Sequence, residues 1–229
     1  QVPSTFPKET RPIYYYPLGN MGMKTIEQDL PKVLKGIAAI LDSRPDVRGI
    51  IHTHSWKILE AIRSKIHNPR LLFQEETDRD RSWAVERLSR SKNGILVAPA
   101  MHEGLDLKDD LSRLQLIPKV PWPDLGDPQV RARTRLDPDW YTLQTALKLT
   151  QESGRSNRSK DDFAETFILD AGFSRFYAQA KTILPVWFKE ALIDRSGAHH
   201  IRALLGGERK VYVVPEDEDE VEISELDVE

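Results

Sequence analysis

The chain has 229 residues, 39% of them hydrophobic, a size that suits one well-packed domain and would cramp two. It contains no cysteine, which excludes disulfides, thiolate metal sites and iron–sulfur ligation within this segment. The net charge of −3 hides an asymmetry, because residues 216–229 carry nine Asp or Glu and no Lys or Arg, leaving 33 basic against 27 acidic side chains in residues 1–215.

An aromatic run flanked by Pro12 and Pro17 opens the chain and reads as an edge strand. From Asp29 the apolar residues Leu30, Val33, Leu34, Ile37, Ile40 and Leu41 keep a helical period, with Pro31 in the first turn and Pro45 beyond the end. Residues 47–52 form a short strand, followed by a helix over 56–66 with Ser55 as its N-cap. The alternation continues with a strand at 71–73, a charged helix at 79–92 and strands at 94–98 and 114–120. A long helix over 136–150 leads to a strand ending at Asp170, and residues 181–205 read as helical, with Trp187, Phe188, Ala191 and Leu192 in the core. Strands alternating with helices predict an α/β fold, a mostly parallel sheet with helices on both faces, whose ligand edge lies beyond the carboxyl ends of the strands. Residues 216–229 read as a separate, disordered acidic tail. No apolar run approaches the ~20 residues that cross a bilayer, and the N-terminus lacks the order of a signal peptide, so a cytoplasmic chain with no membrane partner is expected.

Three segments carry chemistry. Gln151-Glu152-Ser153-Gly154-Arg155-Ser156-Asn157-Arg158 sets two guanidinium groups three residues apart, on one helix face, where their planar forks suit phosphate oxygens. Glu103-Gly104-Leu105-Asp106, just after the strand at 94–98, offers a glycine that lets a ligand approach the backbone and a carboxylate able to accept from ribose hydroxyls. His52-Thr53-His54-Ser55 stands at a strand-to-helix turn, where free amides and the positive end of the helix dipole favour phosphate.

In this order the three resemble motifs VI, V and IV of superfamily-two helicases. The context of the first, an acidic turn at Asp161-Asp162 and a strand leading to Asp170, Phe173, Arg175 and Phe176, resembles the DinG and XPD branch, with similarity from about Ser4 to about Tyr177. The second departs from the family pattern after Asp106, where Leu107 leads to Lys108 and two aspartates rather than to proline and glycine. The resemblance implies a RecA-like domain over residues 1–215, the second motor domain of an ATP-dependent DNA helicase. Arg155 and Arg158 would act as arginine fingers with Gln151 beside the γ-phosphate. Glu103, Gly104, Asp106 and Gly154 would contact the nucleotide, and Thr53, His54, Ser55 and Lys57 a single DNA strand.

A phosphate-cradling loop is expected elsewhere. In Gly19-Asn20-Met21-Gly22-Met23-Lys24-Thr25 two residues rather than four separate the glycines and Met23 intervenes before the lysine, so it is no Walker A loop. ATP and Mg²⁺ would therefore be held mainly by an N-terminal RecA-like domain, with this chain inactive alone and without an iron–sulfur cluster. His52, His54, His102, His199 and His200 show no recognisable ligand spacing, and no metal site is assigned. The alternative is a RecA-like module that binds nucleic acid or protein without hydrolysing ATP.

Overall fold

The structure is a computed structural model that describes residues 6–75, 82–99, 109–154 and 163–206. Its apolar runs become a seven-stranded sheet. In chain order the elements are β1 (Ile13–Gly19), α1 (Ile26–Ser43), β2 (Gly49–His52), α2 (Trp56–Lys65), β3 (Leu71–Phe73), α3 (Ser82–Arg90), β4 (Ile95–Ala98), β5 (Leu114–Ile117), α4 (Pro128–Leu136), α5 (Pro138–Ser153), β6 (Glu165–Asp170), α6 (Gly172–Ala180), α7 (Val186–Ala191), β7 (Leu192–Asp194) and α8 (Ala198–Leu205). The strand order is β3-β4-β2-β5-β6-β1-β7, and every neighbouring pair is parallel.

Because successive strand residues point to opposite faces, each central strand feeds two cores. Ile51, Ile95, Val97, Leu116, Phe167 and Leu169 pack with α1, α2 and α8 on one face. Their neighbours point the other way: Ile117 and Ile168 meet α5, α6 and α7, while Ile50, Leu96 and Ala98 meet Ala84 and Leu88 of α3. Covering both faces is what permits strands with no polar alternation, each fully buried Leu or Ile contributing about 1.5–3 kcal/mol. Gly49, at the start of β2, sits between β4 and β5, and a Cβ there would lie 2.3 Å from the Leu114 carbonyl oxygen. Only a residue without a side chain lets those strands close.

Three expectations are corrected. β1 is not an edge strand, because β7 pairs with Ile13, Tyr14 and Tyr15 and closes that side. Pro17 is accommodated because the β1–β6 register shifts between Tyr15 and Gly19 and the β7 ladder ends at Tyr15, so its missing N–H interrupts neither. The helix expected over 136–150 is α5, which starts two residues later and runs to Ser153, and a helix not expected, α4, precedes it: Asp127 caps α4 through the Gln129 N–H at 2.7 Å, Asp137 caps α5 through the Trp140 N–H at 3.2 Å, and proline comes directly after each cap. Residues 181–205 are not wholly helical, since β7 interrupts them, yet Phe188 and Ala191 are buried as expected and Trp187 and Leu192 pack against them. No helix among the described residues is long and apolar enough to cross a membrane.

Candidate functional site

Parallel strands deliver all their carboxyl ends to one edge, and two buried carboxylates organise the loops and helix ends gathered there. Asp170 ends β6 at 4% exposure. Its Oδ1 accepts the N–H of Gly172 at 2.8 Å and of Met21 at 3.2 Å, and its Oδ2 accepts the N–H of Val120 at 2.9 Å. One side chain thereby fixes the loops after β1, β5 and β6. Burial pushes its carboxyl above its ordinary value, against the opposing pull of those three backbone bonds and of Lys119. The three loops border a cleft of about 650 Å³ lined by Met21, Met23, His54, Lys119, Trp122 and Asp170 among others. Trp122 stacks on Tyr141 with ring centroids 5.1 Å apart and meets the edge of Phe176, so it also serves as packing.

The loop after β1 offers no phosphate cradle. Its Asn20 N–H donates to Asp29, its Met21 N–H to Asp170, and its Gly22 N–H to the Asn20 side chain, which leaves those amides occupied by protein acceptors. Among the described residues no group of three or more His, Cys, Asp or Glu is arranged to hold a metal ion.

The second carboxylate is Glu152, fully buried in the last turn of α5. Its Oε2 lies 3.1 Å from His54 Nε2 and its Oε1 3.9 Å from His52 Nδ1, and the two imidazole rings lie nearly parallel, 11° apart in orientation. His54 has φ 51, a left-handed conformation uncommon for any residue but glycine. The Thr53 N–H donates to the Ala98 carbonyl at 3.0 Å, joining this turn to the end of β4. The β2–α2 turn is therefore held from two sides, by β4 through backbone and by α5 through Glu152.

The residues singled out by their sequence pattern take different places. Ser55 occupies the N-cap position of α2, but its hydroxyl makes no capping bond, so the first amides of the helix lack a side-chain cap. Lys57, half exposed, pairs with Glu27. Thr53 is fully buried, with its hydroxyl unpaired among the described residues, which takes it off the surface of the turn. Gln151 is exposed on the last turn of α5, next to buried Glu152. Gly154 ends that helix where a Cβ would come 3.1 Å from the Thr150 carbonyl oxygen and 3.4 Å from the Trp187 ring, a close approach that explains the glycine. Arg155, Arg158, Glu103, Gly104 and Asp106 lie outside the described residues. The structure thus brings the His54 turn and the end of the Gln151 helix together. Sequence reasoning passed over Glu152 because a glutamate in a polar run reads as solvent-facing; the only signal was its place one residue beyond Gln151, on a different face of the helix.

An all-parallel sheet in this order, with both faces covered and the helix ends gathered at one edge, is a RecA-like α/β motor-domain fold. Residues 37–191 match the helicase C-terminal domain family, and the chain belongs to it, as the DinG/XPD resemblance implied. The regulator of telomere elongation helicase 1 homolog of Anopheles gambiae is 26% identical over 167 residues, 66% of this chain and 17% of that protein. The chain accordingly spans about a sixth of the length of such a curated relative. Among solved structures, that of S. tokodaii Xpd4 superposes with a TM-score of 0.53 at 18% identity, over 81% of this chain and 39% of that one. The C-terminal domain of the DEAD-box protein Dbp5 superposes with a TM-score of 0.52 at 11% identity, over 86% and 97% respectively.

Proposed function

We propose that the chain is the second motor half of an ATP-driven DNA helicase, closing over a nucleotide held by an N-terminal RecA-like domain of the same protein. Arg155 and Arg158, one and four residues beyond Gly154 at the end of α5, meet the charge that develops on the transferred phosphoryl group, and Gln151 orients the γ-phosphate or the attacking water. Glu103, Gly104 and Asp106, after β4, approach the nucleotide from the neighbouring loop, with Gly154 setting the backbone where the arginine segment leaves the helix. Mg²⁺ would be held by the N-terminal domain and would supply neutralisation of the phosphate charge. A single DNA strand rests on the β2–α2 turn through His54, Ser55 and Lys57, where uncapped helix amides and a lysine suit a phosphate.

The observation that carries this reading is the contact between His54 and Glu152, 3.1 Å across the carboxyl edge of the sheet. It sets the strand-facing turn against the helix that leads into the arginines. The test is Arg155→Ala in the full-length protein. Loss of an arginine finger costs about 10³–10⁵ in turnover, so DNA-stimulated ATP hydrolysis is expected to fall nearly to nothing. Retention of most of the rate rules the role out, and vigorous hydrolysis by the 229-residue chain alone contradicts the division of labour between two domains.

A further inference from the structure

We infer that Glu152 is a positioning residue that transmits the placement of the β2–α2 turn to the arginine segment; the inference rests on the function proposed above and deepens it. A buried carboxylate is costly unless paired, which makes its partner consequential. Here one partner is an imidazole 98 residues away in sequence, on the turn proposed to receive the strand. His54 is held in a left-handed backbone conformation that few non-glycine residues adopt, so the direction of its side chain is set by the particular backbone geometry of this turn. Glu152 is fully buried in the last turn of α5, so its carboxylate cannot turn to water in place of His54 without that helix end giving way. Movement of His54 therefore either breaks the 3.1 Å contact or carries the last turn of α5 with it.

The segment beyond that turn makes the connection useful. Gln151 is adjacent, and Arg155 stands three residues after Glu152, immediately after Gly154. A Cβ at Gly154 would come 3.4 Å from the Trp187 ring, so little room is left for a side chain where the helix ends. On the other side, the Thr53 N–H bond to Ala98 ties the same turn to the strand that feeds the Glu103–Asp106 segment. A strand phosphate drawn to Ser55 and Lys57 thus presses on a turn that is hydrogen-bonded to the origins of both nucleotide-facing segments. Coupling between two sites needs an element whose arrangement both of them bias, and the His54–Glu152 pair is that element.

The experiment is a double-mutant cycle in the full-length protein, reading ATP hydrolysis against oligothymidylate concentration. The parameters are the DNA-saturated kcat, the KM for ATP and the DNA concentration for half-maximal stimulation. Glu152→Ala is expected to lower the DNA-saturated kcat about tenfold, within the range that couplings of this kind carry, while KM for ATP moves by less than about twofold. Glu152→Gln keeps an acceptor oxygen for His54 and recovers most of the loss. The double variant Glu152→Ala/His54→Ala is expected to be no slower than His54→Ala, because one connection cannot be cut twice.

A folded Glu152→Ala protein with wild-type kcat, or a double variant in which the two losses multiply, overturns the inference. If Glu152→Ala does not fold, His54→Gln and His54→Ala decide it: the glutamine retains a donor to Glu152 and must be the faster of the two, and equal rates overturn the inference. A full-length wild-type protein without DNA-stimulated hydrolysis overturns the proposed function and this inference together, whereas an active enzyme indifferent to Glu152 overturns this inference alone.

Discussion

The two carboxylates at the sheet's ligand edge are buried alike and held differently. Asp170 is satisfied by three backbone N–H groups from three loops, so its bonds do not depend on which side chains those loops carry. Glu152 is engaged by imidazoles, whose positions track the backbone of one turn. The first arrangement is a clamp that resists change on every side. The second joins two elements through side chains and can be made or broken as they move. The comparison teaches that at one edge of one sheet, a fixed half under β5, β6 and β1 stands beside an adjustable half under β2 and β4.

Mutation can break that contrast. Asp170→Ala strands three amide donors and should cost about 3 kcal/mol or more, read as a shift in the urea midpoint with little change in slope. Gly49→Ala, which drives a methyl group into the Leu114 carbonyl, tests the same sheet away from its edge and should cost about 2–3 kcal/mol by thermal or urea unfolding. Asp170→Asn should cost about 2 kcal/mol, because the amide oxygen can still serve Met21 and Gly172 while its NH₂ confronts the Val120 N–H. Glu152→Gln, which keeps a partner for His54, should cost about 1 kcal/mol or less. A larger penalty for Glu152→Gln than for Asp170→Asn would reverse the assignment of clamp and joint.

Acidity sharpens the comparison further. The folded-state pKa of Asp170 is raised, so its contribution is fully present below the unfolded carboxylate value of about 3.9 and is lost as pH rises through the folded value. Wild type should accordingly lose ground relative to Asp170→Asn as pH is raised above the ordinary carboxylate range of about 3.9, measured as the difference between their urea midpoints. A difference that grows in favour of wild type with rising pH contradicts the dominance of burial over the three backbone bonds.

Much of the sheet was legible because a buried parallel strand has to be apolar throughout: β2, β4 and β5 are short runs rich in Ile, Leu and Val bounded by turns. The starts of α4 and α5 were written in Asp127-Pro128 and Asp137-Pro138, two cap-and-proline pairs that a helical period alone passes over. β7 was not legible. It has three residues and comes after α7 with no turn between them, and what makes it a strand is the open flank of β1 rather than any local preference. Of the candidate site, the turn and the helix end were visible as patterns. The side chain that joins them was not, because burial of Glu152 is decided by elements distant in sequence.

The position of β1 bears on how the chain assembles as it is made. Ile13, Tyr14 and Tyr15 emerge before the rest of the sheet, yet their partners are Thr166, Phe167 and Ile168 on one side and Leu192, Ile193 and Asp194 on the other. A nascent chain released at about 5–20 residues per second must leave this aromatic strand without its neighbours until nearly the whole domain has been translated. Such distant pairing delays closure of the sheet, and a polypeptide stopped short of residue 165 would present Tyr14, Tyr15 and Tyr16 to whatever else is near the ribosome.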